Sequence, residues 1–218
     1  MDWTPIWISL KAAATATALC LVIALPLARW SAAKKQGWAS WLDTAILLPL
    51  ALPPTVMGLV LLVVFGRQSP IGALMERMGI FLLFTWPAVV LAAAVMSFPI
   101  LYLSLRAALA QVDPELLDAA RLLGFGETRI LCQVMVPLAW PGIAAGVALG
   151  FLRALGEFGA TLMLAGNIPG RTQTVPLAIY SAVESGETRE AWFLALFVLF
   201  IAASALAALH TLNRRFAS

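Results

Sequence analysis

The chain has 218 residues, 62% of them hydrophobic and 11% charged, with a mean hydropathy of +0.94 and a formal charge of +3 at pH 7. A water-soluble domain of this length needs far more charge to cover its surface, so a bilayer is the expected solvent. The sequence carries no basic stripe interleaved with stacking aromatics, which removes nucleic acid from the expected partners.

The N-terminus reads Met-Asp-Trp-Thr-Pro, without a basic leader, and the apolar run that follows to Trp30 is too long for a signal h-region. It is expected to be retained as a first span. A span needs about 20 mostly apolar residues, because the hydrocarbon is about 30 Å thick and each helical residue rises about 1.5 Å. On that basis the chain is an all-α, polytopic membrane protein with one transmembrane domain over residues 1–218. Five spans are predicted at about residues 6–29, 45–65, 81–109, 134–165 and 191–212. The third and fourth are longer than a perpendicular helix needs, and Pro87, Pro99 and Pro141 are the expected kinks. Residues 66–80 and 166–190 hold too few apolar residues to span and are expected as interfacial or re-entrant helices.

Basic residues set the expected orientation. With residues 113–126 placed in the cytoplasm, Arg29, Lys34, Lys35, Arg106, Arg121, Arg129, Arg214 and Arg215 lie inside. Arg67, Arg77, Arg171 and Arg189 lie outside, with Lys11 near the outer end of span one. The excess is cytoplasmic, so the N-terminus is expected outside and the C-terminus inside. Cys20 and Cys132 are not a CxxC pair and are read as small buried or interfacial thiols. His210 is read as an interfacial, snorkelling residue.

Between spans three and four lies a polar helix. Asp113 is a good N-cap, Pro114 suits the first helical position, and Glu115 suits its positive end. Gly124 and Gly126 can end it. Leu116, Leu117, Ala120 and Leu123 share one face at helical spacing, while Glu115, Asp118, Arg121, Leu122 and Phe125 fall on the other. A face that mixes a leucine and a phenylalanine with charges fits a partner's cleft. The competing reading is an amphipathic helix lying in the headgroup layer.

Here the pattern becomes specific. Asp118-Ala119-Ala120, Gly124, Val134 and Val136-Pro137 resemble the Glu-Ala-Ala…Gly…Ile-x-Leu-Pro motif of type I ABC importer permeases, with three conservative departures. The resemblance implies that residues 113–126 form a coupling helix docked on a cytoplasmic ABC ATPase. Its expected contacts are Glu115, Asp118, Ala119, Ala120, Arg121, Leu122, Gly124 and Phe125, with Pro137 completing the motif. The chain has no G-x-x-x-x-G-K-[ST] loop, so it is expected to be a non-catalytic subunit without its own cofactor, with ATP and Mg on the partner ATPase. Residues 48–58, 92–99, 153–161 and 167–176 look like the molybdate branch of these permeases, with sulfate, thiosulfate and tungstate importers as the alternative. The resemblance further implies a homodimer, two ATPase copies, an extracytoplasmic oxyanion-binding protein and residence in the bacterial inner membrane. An odd number of spans without an internal repeat also disfavours a self-contained transporter built from inverted halves.

Several intramembrane residues stand out. Arg153 and Glu157, four apart in the fourth span, would each cost about 3 kcal/mol at the bilayer centre on an insertion scale. They read either as a mutually neutralising structural pair or as part of a gate; the carboxylate would repel an oxyanion, so Arg153 is not read as a substrate ligand. Gly142, Gly146 and Gly150 form a small-residue stripe that lets another helix approach, within the subunit or across a dimer. Thr55, Ser97 and Thr161 are candidate pathway hydroxyls, unless they bond back to their own helices. A membrane enzyme finds no support, since the spans lack clustered His, Cys or carboxylates at ligand spacing. A passive scaffold would bind partners through residues 113–126 without moving an anion.

Overall fold

The computed structural model describes residues 2–32 and 38–216, with backbone only at 38–40 and 212–216. Lys34 and Lys35, and the side chains of Arg214 and Arg215, lie outside the described residues. The described chain is all-α. In order come α1 (Thr4–Ala32), α2 (Trp38–Ala51), α3 (Pro54–Phe65), α4 (Pro70–Arg77), α5 (Trp86–Ala110) and α6 (Pro114–Leu122). Then follow α7 (Glu127–Ile130), a π-helical turn (Leu131–Met135), α8 (Val136–Leu138), α9 (Trp140–Leu155), α10 (Gly159–Ala165), α11 (Val175–Glu184) and α12 (Thr188–Phe216).

Three helices are long and apolar enough to cross a membrane alone: α1, α5 and residues Thr188–Thr211 of α12. The other two expected spans are not straight. The segment 45–65 breaks into α2 and α3, bent by 115°. Pro53 and Pro54 sit at the corner, and the second proline holds Pro53 in an extended conformation (φ −56°, ψ 140°) that no helix continues through. The segment 134–165 bends by 84° between α8 and α9, then breaks again between α9 and α10. Of the three expected kinks, Pro141 lies in the first turn of α9 at that bend, Pro87 lies in the first turn of α5, and Pro99 is carried inside α5. The expected third span also starts later, at Trp86, because residues 81–85 form a turn in which Phe84 donates its N–H to Leu164 O (3.2 Å).

α5 is the central post. α1, α9 and α10 pack around it, and α12 lies at the periphery, few of its residues fully buried, with one side on α9 and α11 and the other free for lipid. Small residues make the close approach possible. α1 presents Ala12, Ala16, Cys20, Ala24 and Ala28 at four-residue spacing, and α5 answers with Ala88, Ala92 and Ala93. Three apolar cores result among the described residues, the smallest joining Ile6, Val175, Ala178 and Leu194. A second joins Met57, Leu61, Ala92, Met96, Leu155 and Leu164; the third, at the end that carries α6, joins Leu101, Tyr102, Leu105, Ile130, Met135 and Ile143. Side chains such as Val22, Ile23, Val63 and Phe200 remain exposed, as hydrocarbon permits and water does not.

The glycine stripe of α9 lies against α5 of the same chain. A Cβ at position 142 would sit 2.6 Å from Ala108 Cβ, and one at position 146 would sit 2.7 Å from Ser104 Cβ. Gly142→Leu is therefore expected to push α9 off α5 and destabilise the chain by about 1–3 kcal/mol. Thermal unfolding in detergent reads this as a loss of about 2–4 °C per kcal/mol. A midpoint equal to that of the unsubstituted protein would show that the two helices do not meet at this distance.

Candidate functional site

The polar helix α6 is built by local chemistry. Asp113 Oδ1 accepts from Glu115 N (2.9 Å) and Pro114 opens the first turn. At the other end Gly124 adopts φ +82°, a left-handed conformation that costs glycine little. Gly124 N–H donates to Arg121 O (2.9 Å) and Phe125 N–H donates to Ala120 O (3.1 Å), the paired bonds of a Schellman motif. The reversal stops the helix and turns the chain back toward the bundle.

The residues that face out differ from the helical expectation, around Gly124 because of that reversal and at Leu116 because the first turn of α6 stands clear of the core. Leu117 and Ala120 are buried in the core at this end, but Leu116 and Leu123, expected beside them, are exposed. Phe125, expected on the outer face, instead packs against that core, with the Arg129 guanidinium 4.1 Å from its ring centroid. The apolar knob is thus Leu122 and Leu123, 90% and 77% exposed. Glu115, Asp118 and Ala119 surround it on the exposed side, and Gly124 is exposed beside it.

Charged side chains tie the knob to the bundle. Arg121 Nη1 meets Asp118 Oδ1 (2.6 Å) and its Nε donates to Glu127 Oε1 (2.8 Å). The other carboxylate oxygen of Glu127 accepts from Arg29 Nη2 at the end of α1 (2.7 Å). Hydrogen bonding to Glu127, and then to Asp118, raises the Arg121 guanidinium above its ordinary value. The bond from Arg121 likewise holds Glu127 below the usual carboxylate range.

Pro137 stands just beyond this cluster, exposed in α8. It cannot donate to the helical ladder, and the preceding turn is π-helical, with Val136 N–H reaching Leu131 O. The Val-Met-Val-Pro stretch thereby joins α7 to the 84° corner before α9.

Inside the bundle, the ion pair is present but not as two residues of one helix. α9 ends at Leu155 and Glu157 lies in the break before α10. Its Oε1 accepts from Ala160 N (2.8 Å) and so caps α10, while Oε2 lies 2.8 Å from Arg153 Nη1. Glu157 is 2% exposed and the Arg153 side chain 24%. The carboxylate therefore neutralises a guanidinium on one side and a helix N-terminus on the other.

The three candidate pathway hydroxyls are not brought together. Ser97 is buried on α5, donates to Ala94 O of its own helix (3.3 Å), and lies 4.0 Å from Cys20 Sγ on α1. Thr161 is buried on α10. Thr55 is exposed at the start of α3, with its methyl carbon 3.3 Å from where a Cβ on Gly159 would lie.

A polar clamp escaped the sequence altogether. Asp43 on α2 accepts from Ser31 Oγ (3.0 Å) and from the Tyr102 hydroxyl, and pairs with Arg106 Nη1 (2.5 Å). It pins α2 to α1 and α5 at one point. A lone acid near the start of an apolar helix was its only trace in the sequence.

A bundle of apolar, broken helices with an exposed, charge-flanked knob at one end is the architecture of a polytopic membrane protein. The comparisons make the class definite: residues 6–218 match the binding-protein-dependent transport system inner membrane components, and the chain belongs to that family. It is 42% identical over 185 residues to the molybdenum transport system permease protein ModB of Escherichia coli K12, covering 84% of this chain and 81% of that one. With ModB of Haemophilus influenzae it shares 38% identity over 218 residues, covering 99% and 95%. The fold is that of the inward-facing MetNI methionine ABC transporter, with a TM-score of 0.71 at 17% identity, covering 97% of each chain. The protein is accordingly a multi-pass inner-membrane transport subunit of the type I importer fold.

Proposed function

We propose that this chain is the membrane subunit of an ATP-driven importer for a tetrahedral oxyanion, and that the anion is molybdate. The identity shared with molybdenum permeases over nearly the whole chain carries the reading. Two copies form the pathway, and each offers Leu122 and Leu123 on α6 to one of two ABC ATPase subunits. Glu115, Asp118, Ala119, Arg121, Gly124, the buried Ala120 and the half-buried Phe125 shape and hold that knob. The half of the assembly carrying α6 is cytoplasmic, with the N-terminus outside and the C-terminus inside, in keeping with the basic residues Arg29, Arg106, Arg121 and Arg129 gathered on that side. ATP and Mg are bound by the ATPase. An extracytoplasmic binding protein delivers the anion.

Mechanically, ATP draws the ATPase subunits together and carries the α6 helices with them. Because α6 is fixed to the core through Leu117 and Ala120, its displacement tilts the helices it rests on. The anion then enters a path between the two copies that offers it no free charge, and weak contacts allow it to leave quickly; of the candidate hydroxyls only the exposed Thr55 is open to such a path. Arg153 and Glu157 hold the α9–α10 break in register during the change and are not ligands.

The test is transport by the full assembly in proteoliposomes, with the ATPase inside and the loaded binding protein outside. ATP-dependent uptake of labelled molybdate, undiminished by excess sulfate, is expected. Uptake of sulfate or thiosulfate in its place would overturn the choice of anion, and ATP-independent flux would overturn the importer reading itself.

A further inference from the structure

Leu117 and Ala120 rest on a core that α1 shares, and α1 also reaches the polar cluster through a side chain distant in sequence. Arg29 lies in the last turn of α1, and its side chain is only 15% exposed. It meets Glu127, 98 positions away, at 2.7 Å. The same carboxylate receives Arg121 of α6 at 2.8 Å on its other oxygen. Glu127 is thus a two-pronged acceptor between the helix that carries the knob and the first long span. It also opens α7, where a carboxylate suits the positive end of the helix.

We propose that Glu127 is a positioning residue for coupling: it locks α6 to α1 through Arg121 and Arg29, so that displacement of the knob moves the first span. The inference rests on the importer reading and adds a transmission route that the motif residues do not contain. Exposed charge pairs contribute little to static stability, and Glu127 is more than half exposed. Arg29 is largely buried, so removing the carboxylate also leaves a guanidinium unpaired, and a purely static role would show in the melting temperature alone. A transmission role changes how much transport each hydrolysis event yields.

The experiment uses the complete importer in proteoliposomes and reads molybdate uptake per ATP hydrolysed for Glu127→Gln, Arg29→Gln, the double variant and Arg29→Lys. Glu127→Gln is expected to lower this ratio about fivefold, the factor a partly exposed charge pair supports. Arg29→Gln should do the same. The double variant should lose no more than either single one, because one link is being broken. Arg29→Lys, which keeps the charge and can reach one carboxylate oxygen, should recover most of the ratio. Melting temperatures and ATPase retention on purification separate this from misfolding or lost docking. An unchanged ratio in Glu127→Gln, or losses that multiply in the double variant, would overturn the proposal. So would loss of the ATPase from Glu127→Gln at an unchanged melting temperature, since Glu127 would then belong to the docking surface. A wild-type assembly that hydrolyses ATP without importing molybdate would instead bring down the importer reading beneath it.

Discussion

Glu157→Ala is expected to destabilise the chain by about 3–5 kcal/mol, the cost of breaking a buried ion pair from one side. Two partners lose their acceptor at once: the Arg153 guanidinium, 2.8 Å away, and the N–H of Ala160, which opens α10. Glu157 is almost wholly buried, so solvent cannot take its place. The effect should be read as a lowered unfolding midpoint in detergent. Replacing both charges, as Arg153→Met with Glu157→Gln, should restore most of the stability, because neither variant side chain leaves an unpaired charge and glutamine can still accept from Ala160. That double variant also separates two roles. If it folds and imports at the native rate, the pair is structural; if it folds and imports nothing, the pair belongs to a gate. A single Glu157→Ala variant as stable as the native chain would show that the carboxylate does not hold the α9–α10 break together.

Leu122→Asp is expected to abolish ATP-driven uptake while leaving the chain folded. Leu122 is 90% exposed, so its replacement removes almost no contact within the subunit. In a docked complex the same position would place a carboxylate in a desolvated cleft. An anchor of that kind commonly contributes about 2–4 kcal/mol to binding, more than tenfold in affinity. The measurement is retention of the ATPase during purification together with the melting temperature of the permease. Retention at the native level would remove Leu122 from the docking surface. A cysteine at the same position offers a second reading, since crosslinking should join it to the ATPase. Leu123, also outward in the structure, should behave alike, whereas Phe125→Ala should lower the melting temperature first, because that ring packs against the core.

Features set by neighbours along the chain are legible in the residue order itself. The Asp113 cap, the Pro114 start and the Gly124 stop each depend on atoms within a few residues, and each forms as the residue types dictate. Arg153 and Glu157 can be paired from their spacing, although their meeting depends on a chain break that spacing alone does not announce. Helical periodicity fails for Leu123 and Phe125, because it assumes the helix continues, and the left-handed turn at Gly124 reverses the chain between them. Pro53 and Pro54 are visible, yet hydropathy reads through them as one span; the apolar run is continuous, and hydropathy does not register direction.

Composition and local pattern were enough to establish an all-helical membrane protein and a capped polar helix between spans, while kinship to importer permeases rested on the resemblance of its motifs to that family. Those properties depend on solvent preference and on contacts within a turn or two of the chain. Folding in three dimensions decided that the glycine stripe meets α5, that Ser97 faces Cys20, that Asp43 is held by Ser31, Tyr102 and Arg106, and that Glu127 reaches Arg29. Most of these contacts join residues tens of positions apart. Which of many apolar faces meet is chosen by the fit of whole helices, a sum over many weak contacts that no short stretch of residues contains.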